Sequence, residues 1–185
     1  MNAVASRFPS RRHYDRSMGA LEITRGSAHD IPSLEPLWVA VHHVHQASVP
    51  ELAPCVSDEE TWRLHRPLYE GLFQQPDTFL FLARIDGELI GYALGAVANA
   101  EDGWAGDTWK TGKRIGELES ISVLPGHRGE GIGSALLDAV DEEFERLGIH
   151  DVVIGVLPGN VDARRLYERR GFKPTWMYLS RFAGR

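Results

Sequence analysis

The chain has 185 residues, of which 43% are hydrophobic and 25% charged, and its formal net charge is −6. This composition is typical of a globular protein with a hydrophobic core, and it excludes collagen-like, low-complexity and wholly disordered classes; no apolar run approaches the ~18 residues of a membrane span. The acidic balance argues against a nucleic-acid partner, and the single cysteine, Cys55, favours a reducing compartment, which we expect to be the cytoplasm.

The first eighteen residues differ from the rest of the chain. Four arginines and one aspartate give residues 1–17 a net charge of +3, with no apolar period. We therefore expect a flexible, basic N-terminal tail over residues 1–18, followed by one domain over residues 19–185. A transit peptide and a natural start at Met18 remain open for this segment.

The first half of the domain begins with a short strand at residues 21–23 and a helix that runs to about Gln46 with Asp30 as its N-cap. Ser57 with Glu60 predicts a capping box at the start of a second helix. The apolar side of that helix is expected to contain Trp62, Leu64, Leu68 and Leu72, and Pro67 should kink or divide it.

A strand hairpin follows the second helix. Residues 78–83 are almost continuously apolar, and the dipeptide Asp86-Gly87 is a strong signal for a two-residue turn. Residues 88–97 then form the partner strand. Residues 100–114 contain glycines and charges, and are expected to form a loop.

Strands and helices alternate in the last third of the chain. The patterns predict strands at 117–124, 152–156 and 176–182, and helices at 132–148 and 161–170. Such alternation implies parallel pairing, whereas the earlier hairpin is antiparallel. The expected fold class is therefore α/β, with a mixed sheet covered by helices.

The most informative stretch joins the strand at 117–124 to the helix that follows. It contains three spaced glycines (Gly129, Gly131 and Gly133) next to Arg128. The N–H groups in the first turn of a helix have no partner within the helix, and the helix dipole leaves partial positive charge there. Glycines allow a diphosphate to approach those groups, and an arginine adds a fixed cation. The dinucleotide-binding pattern fits these residues less well, and the nearest P-loop candidate, residues 106–113, has one residue too many between its glycines.

This stretch resembles the signature of the GCN5-related N-acetyltransferase (GNAT) family, Arg/Gln-x-x-Gly-x-Gly/Ala, which is met by residues 128–133. A second block, from Asn160 through Tyr167 to Phe172, is similar to the C-terminal signature of the same family. The resemblance covers about residues 20–185. It implies a mostly antiparallel sheet of six to seven strands with helices on both faces, in which a splayed parallel pair forms a cleft for acetyl-CoA.

The resemblance also implies which residues bind acetyl-CoA as the cosubstrate. The strand before the turn would bond the pantetheine amides through its backbone, the turn would bind the pyrophosphate, and Asn160 would face the cofactor. The implied cofactor-binding residues are Ile121, Ser122, Val123, Arg128, Gly129, Glu130, Gly131, Ile132, Gly133, Ser134 and Asn160. We predict no metal site, and the histidines His42, His43 and His45 are interpreted as ordinary helix residues.

Two residues are the candidates for catalysis. In the family, the tyrosine that matches Tyr167 lies near the thioester sulfur and protonates the leaving thiolate. Glu119 is the candidate general base, because many relatives place an acidic residue on this strand; Glu117 or a water relay is the alternative. Strict alternation would put Glu119 on the same face as Ile121 and Val123, so a β-bulge is needed to turn its side chain.

The resulting hypothesis is an acetyl-CoA-dependent N-acetyltransferase that acetylates a primary amine by direct attack in a ternary complex. The acidic balance favours a cationic small molecule as the acceptor. The alternatives are a protein N-terminal acetyltransferase and an acyl-CoA-binding regulatory module on the same fold. No membrane partner is expected, and pairing through the last strand, residues 176–182, would allow a homodimer.

Overall fold

A mixed sheet with helices on both faces forms the protein in this computed structural model, which describes residues 19–103 and 105–182. The strands are β1 (Leu21–Arg25), β2 (Phe79–Ile85), β3 (Glu88–Asn99), β4 (Arg114–Val123) and β5 (Val152–Ile154). The helices are α1 (Glu35–Ser48), α2 (Asp58–Leu72), α3 (Ile132–Arg146) and α4 (Val161–Arg169). The tail predicted for residues 1–18 lies outside the described residues.

The sheet has the strand order β1-β2-β3-β4-β5. The first three pairings are antiparallel, and β4 pairs with β5 in parallel. The predicted fold class is therefore confirmed, although the described residues form five strands and not six or seven.

The predicted last strand, residues 176–182, is the main error at this level, because this segment has no regular structure and Tyr178 and Leu179 are 80% and 91% exposed. Its apolar side chains favour a strand, but a strand also needs a free edge to pair with, and β5, which ends at Ile154, has only three residues.

The β2–β3 hairpin turns at the predicted residues. Asp86 has φ = 50° and Gly87 has φ = 85°, which is the left-handed geometry that a tight two-residue hairpin turn requires. An L side chain rarely adopts this region, and aspartate and glycine tolerate it best.

Each face of the sheet has its own hydrophobic core. One core, under α3 and α4, includes Leu136, Val140, Phe144 and Tyr167. The other, under α1 and α2, includes Leu37, Trp38, Trp62, Tyr69 and Tyr92. The sheet is thus covered on both faces, as predicted.

The helix α2 shows where its sequence pattern was misread. The predicted apolar residues Leu64 and Leu68 are 55% and 47% exposed, whereas Tyr69 is completely buried. The rings of Trp38 and His65 stack in parallel with 3.3 Å between centroids, and this contact fixes which side of α2 faces α1. Pro67 does not divide the helix, which continues to Leu72.

The helix starts follow the expected capping chemistry in part: the predicted capping box at Ser57 is only half formed, because the Glu60 carboxylate accepts hydrogen bonds from Arg63 and not from the Ser57 N–H. Ser57 caps α2, and its side chain accepts a hydrogen bond from the Glu60 N–H at 3.2 Å. The prediction that Asp30 is an N-cap is wrong. Ser27 caps a short 3₁₀ turn before α1, and Asp30 completes its capping box by accepting from the Ser27 N–H at 2.9 Å.

Candidate active site at the splayed strands

The parallel pair separates halfway along β4. The register pairs residues 116–118 with residues 152–154, and β5 ends there while β4 continues to Val123. Among the described residues, no strand pairs with the β5-facing edge of β4 from Glu119 onward, while the other edge of β4 pairs with β3. The main-chain donors and acceptors along this part of β4 can therefore pair with an extended amide chain.

The turn after β4 supplies a cluster of main-chain N–H groups. Gly129 and Gly131 both have φ = 84°, a left-handed conformation that favours glycine. Gly131 is the N-cap of α3 and provides no capping side chain. A Cβ at Gly129 would meet nothing within 4 Å, so this glycine is required by backbone conformation and not by packing. The uncapped first turn of a fifteen-residue helix is a suitable site for an anion.

The side chain of Arg128 forms a hydrogen bond to β4, the strand that precedes it. Its Nε donates to the Val123 carbonyl oxygen at 3.2 Å, so the exposed guanidinium is held beside the turn. His127 and Glu130 form a second contact across the turn, with 3.3 Å between Nδ1 and Oε2. These two side-chain contacts therefore stabilise the turn.

A cavity of about 380 Å³ lies between α1 and this turn. Leu124, Pro125 and Arg128 form the wall on the turn side. The α1 wall consists of Pro36, Val39, Ala40, His43, Val44 and Ala47. The sequence analysis did not predict this wall. Its pattern is nevertheless visible in the sequence, because Pro36, Ala40 and Val44 are small apolar residues four positions apart and therefore share one face of the helix.

The predicted contact strand is anchored by one of its own side chains. Ser122 is 6% exposed, and its hydroxyl donates to the Leu37 carbonyl oxygen of α1 at 2.8 Å. The side chains of Ile121 and Val123 pack against the core on the opposite face. Only the backbone of these three residues is therefore available to a ligand in the opening.

The helix α4 contains the other two predicted residues. Asn160 is its N-cap, and its Oδ1 accepts from the Ala163 N–H at 3.3 Å, so only the amide nitrogen is left to donate to a ligand. Tyr167 is 6% exposed and packs against Phe172 in the core shared with α3. Burial raises the pKa of the Tyr167 phenol to about 12.

One arginine joins α4 to α3. Arg170 is 20% exposed and donates to the Ser134 carbonyl oxygen at 2.8 Å. It also forms ion pairs with Asp138 at 2.6 Å and Asp141 at 2.8 Å. The helix that carries Tyr167 is thereby held against the first turn of the helix that begins at the glycines.

The β-bulge that Glu119 requires is present. The register of β3 with β4 pairs Leu94 with Ser120 but Gly95 with Leu118, so Glu119 is the extra residue. The side chain of Leu118 belongs to the α3 core, and that of Ser120 bonds to Tyr92 in the α1/α2 core. The bulge thus shifts the in-and-out alternation of side chains by one residue, so Glu119 need not lie on the face occupied by Ile121 and Val123.

The electrostatics of Glu119 suit a proton acceptor. The residue is half-buried, and burial raises the pKa of its carboxyl group; the negative charge of Glu117 raises it further. Glu117 itself is exposed. A carboxylate whose pKa is moved toward neutrality is a better general base than an ordinary surface carboxylate.

Polar residues around α1 and α2 are mostly satisfied by structural contacts. His42 bonds to the Val56 carbonyl oxygen at 3.1 Å, and His43 pairs with Asp58 at 2.9 Å. Burial and, to a smaller extent, the nearby His45 lower the pKa of His65 to about 4. The described residues contain no cluster of metal-ligating side chains, and none of their helices is long and apolar enough to span a membrane.

The sequence matches the acetyltransferase (GNAT) family over residues 38–172. This match covers well over half of the chain and includes both β4 and α4. The chain therefore belongs to the GNAT family, and the family predicted from the two motifs is confirmed.

Individual relatives place the chain within this family. It is 32% identical to mycothiol acetyltransferase of Acidothermus cellulolyticus over 138 residues, which is 74% of this chain and 40% of that protein. It is also 32% identical to an N-alpha-acetyltransferase of Sulfurisphaera tokodaii over 113 residues, covering 59% of this chain and 60% of the relative. The chain thus spans less than two thirds of the length of either relative.

Solved structures agree with the fold. The aminoglycoside N-acetyltransferase AAC(6')-Iy in complex with CoA superposes with a TM-score of 0.63 at 19% identity, over 91% of this chain and 98% of that one. A likeness at this identity concerns the fold alone. It agrees with the α/β fold described above.

Proposed function

We propose that the protein is a cytoplasmic, acetyl-CoA-dependent N-acetyltransferase that acetylates a primary amine by direct attack in a ternary complex. The observation that carries this proposal is the uncapped N-terminus of α3, with its left-handed glycines, at the mouth of the splayed β4–β5 pair. The family match gives the class of reaction, and the lone exposed Cys55 fits a reducing compartment.

The residues present suit coenzyme A. The N–H groups of residues 129–134 and the guanidinium of Arg128 would hold the diphosphate. The free edge of β4 at residues 121–123 would pair with the two amides of the pantetheine arm as an added strand would. The cavity between α1 and the turn gives the arm an apolar wall. Acetyl-CoA supplies an activated acetyl thioester at the end of that arm.

Glu119 would receive the proton of the acceptor amine. An amine with a pKa of ~10.4 is neutral in only about one molecule in 2,500 at pH 7, which corresponds to about 4.6 kcal/mol of deprotonation. A base at the acetyl group offsets part of this cost. Glu119 passes this first proton to solvent. The neutral amine nitrogen then forms a bond to the carbonyl carbon, the carbon–sulfur bond breaks, and the second proton leaves the nitrogen for Glu119 directly or through water.

Tyr167 would stabilise the departing thiolate. Its pKa of about 12 lies well above the ~8.5 of a thiol, so complete proton transfer to the sulfur is uphill by about 5 kcal/mol. A hydrogen bond that strengthens as charge develops on the sulfur avoids this cost. We therefore assign Tyr167 the role of a hydrogen-bond donor in the transition state, and the thiolate is protonated from solvent.

The acceptor we propose is a cationic small molecule. Glu117 and Glu119 put two carboxylates at the bulge where the amine must arrive, and the net charge of −6 attracts cations. The second candidate is a protein N-terminus, which the similarity to an N-alpha-acetyltransferase favours. Both acceptors present a primary amine to the same base.

The test is release of CoA thiol from acetyl-CoA with a panel of polyamines, amino sugars, amino acids and peptides. We expect amine-dependent release, and the best acceptor should raise the Tm when CoA is also bound, by mass action. Binding of acetyl-CoA without release by any amine would favour a regulatory module. Calorimetry that shows no binding of acetyl-CoA would reject both functions.

We further propose that the C-terminal segment, residues 176–182, mediates a homodimer. Its apolar side chains are exposed, and Met177 is 70% and Leu179 91% accessible. A second copy would cover this surface. Light scattering should give twice the monomer mass, and Leu179→Asp should shift it to that of the monomer; a monomeric wild type over the micromolar range argues against the assembly.

A further inference from the structure

The cavity between α1 and the turn has one side chain that can accept a hydrogen bond. Among the described residues that line it, all are aliphatic residues or prolines except His43 and Arg128. A guanidinium only donates hydrogen bonds, whereas an imidazole can also accept one. A ligand in this cavity that carries an O–H or N–H group therefore meets His43 as the side-chain acceptor.

The main-chain oxygens of both walls already accept hydrogen bonds. On the turn side, the Leu124 carbonyl oxygen accepts from the His127 N–H at 2.9 Å, and the Pro125 carbonyl oxygen accepts from the Arg128 N–H at 3.4 Å. On the other side, the carbonyl oxygens of residues 36–44 accept from the N–H groups four residues later in α1, as in any α-helix. The imidazole of His43 is thus the acceptor best placed to serve a ligand.

Asp58, the first residue of α2, determines which nitrogen of His43 can accept. The His43 Nε2 atom lies 2.9 Å and 3.0 Å from the two carboxylate oxygens of Asp58. A carboxylate only accepts hydrogen bonds, so Nε2 carries the hydrogen and donates it. In the neutral imidazole, the lone pair is then on Nδ1, and Nδ1 is the nitrogen left for a ligand.

The pantetheine arm of coenzyme A contains one donor that the proposed function leaves without an acceptor. The arm has two amide N–H groups and one hydroxyl, and the two amides would pair with the free edge of β4. The hydroxyl belongs to the pantoyl unit, in which the next carbon bears two methyl groups and is joined through a methylene to the diphosphate.

The cavity wall has a matching group for each part of this unit. Arg128 provides a cation for the diphosphate, and Val39, Val44 and Leu124 provide an aliphatic surface for the two methyl groups. His43 provides the acceptor for the hydroxyl. The chemical complementarity thus extends over the whole pantoyl unit and is not confined to its anionic end.

We propose that His43 is a cofactor-binding residue whose Nδ1 accepts a hydrogen bond from the pantoyl hydroxyl of coenzyme A. Asp58 is the positioning residue that holds the imidazole in the accepting tautomer. This assignment rests on the proposed function, in which the diphosphate lies at the turn and the arm lies in the cavity. It adds a side-chain contact from α1 to a cofactor that the proposed function binds through the backbone of β4 and the turn.

The first test measures binding and needs no catalysis. Calorimetry gives the Kd of CoA and of deoxy-CoA, the analogue in which hydrogen replaces the pantoyl hydroxyl. Loss of one hydrogen bond between neutral groups should make the Kd of deoxy-CoA about 3- to 10-fold higher than that of CoA in the wild type. In His43→Phe, which keeps a ring but removes the acceptor, the ratio of the two Kd values should fall to about one. An unchanged ratio in His43→Phe overturns the proposal.

The second test concerns the role of Asp58. His43 and Asp58 are 56% and 53% exposed, so their pair adds little to stability and the variants should fold. Asp58→Ala frees the imidazole, and the ratio of the two Kd values should fall toward one. The matched control is Glu59→Ala, which removes an exposed carboxylate from the same first turn of α2 and should keep the wild-type ratio. A wild-type ratio in Asp58→Ala would show that Asp58 does not position His43.

These measurements separate the proposal from the proposed function. A ratio near one in a wild type that binds CoA and releases thiol with an amine would reject the role of His43 and leave the acetyltransferase intact. A ratio of about 3 to 10 that depends on His43, in a protein that releases no thiol with any amine, would uphold the contact and reject the acetyltransferase. Failure to bind either CoA or deoxy-CoA would overturn both.

Discussion

At the scale of single residues, Tyr167 gives the sharpest prediction. Tyr167→Phe keeps the buried ring and removes only the hydroxyl, so the fold should be retained. We expect kcat to fall about 10- to 100-fold, as for the loss of one hydrogen bond that strengthens in the transition state. The KM for acetyl-CoA should change less than about twofold, because the proposed diphosphate contacts are made far along the cofactor from the sulfur. Steady-state thiol release measures both quantities.

The pH dependence of the wild type offers a check on the same residue. With a pKa of about 12, the phenol remains protonated across the working range, so Tyr167 should give no basic limb below about pH 10. A basic limb near pH 8 to 9 that disappears in Tyr167→Phe would show that the phenol loses its proton there. A kcat that is unchanged in the variant would remove Tyr167 from the chemistry.

The sequence was most informative for residues whose role is local. The glycines at 129 and 131 have the left-handed backbone that makes them necessary, and the need for a bulge at Glu119 followed from alternation alone. The hydrogen bond between the buried Tyr69 and Tyr92 hydroxyls was missed, because the two tyrosines lie 23 residues apart and meet only when α2 packs on β3. A one-dimensional pattern carries no signal for a hydrogen bond between two separate hydrophobic stripes.

At the scale of elements, Arg170 connects α4 to α3. Arg170→Met keeps the aliphatic stem but removes the bonds to Ser134, Asp138 and Asp141. We expect the free energy of unfolding to fall by about 1–2 kcal/mol, since the arginine is mostly buried but both carboxylates are exposed. We also expect a higher KM for acetyl-CoA and a lower kcat, because the turn and Tyr167 lose their common anchor. Urea unfolding and thiol release test both effects.

The neighbouring Arg169 provides the matched control. It lies on the same helix turn but is exposed, and the described residues give it no ion pair. Arg169→Met removes the same charge and should leave stability and both kinetic constants near those of the wild type. Equal effects of the two substitutions would mean that Arg170 acts through net charge and not through the contact between helices.

The elements themselves show what a sequence can predict. The hairpin, the two long amphipathic helices and the parallel pair were predicted because each has a period or a turn that depends on neighbours in the chain. The strand expected at residues 176–182 failed for the opposite reason. The sequence pattern of this segment was suitable for a strand, but strand pairing depends on a free edge elsewhere in the sheet. The buried side of α2 was predicted wrongly for a similar reason, because the contact with α1 decides which side is buried.

At the scale of the whole molecule, one buried carboxylate joins the first strand to the helix of the proposed diphosphate site. Glu143 on α3 is 7% exposed and pairs with Arg25 of β1 at 2.9 Å and with Arg146 at 2.7 Å. The hydrogen bonds from Arg146 and Arg25 lower the pKa of Glu143 to about 2. Because β1 is an edge strand, this pair contributes to holding the edge of the sheet onto the α3 layer.

This coupling predicts a specific dependence of stability on acid. The pKa of Glu143 is lower in the folded state than the ~4.3 of an unfolded glutamate, so its stabilisation is complete above about pH 5 and is lost as the pH falls through 2. Glu143→Gln should lower the free energy of unfolding by about 1–2 kcal/mol at pH 7, less than the full shift implies because Arg25 and Arg146 are half exposed or more. The difference in unfolding free energy between Glu143→Gln and wild type should shrink below pH 4 and vanish near pH 2.

Thermal unfolding monitored by circular dichroism from pH 2 to 7 measures this difference. The control is Glu142→Gln, which changes an exposed neighbour. A constant difference across this range would mean that packing, and not charge, is what Glu143 contributes.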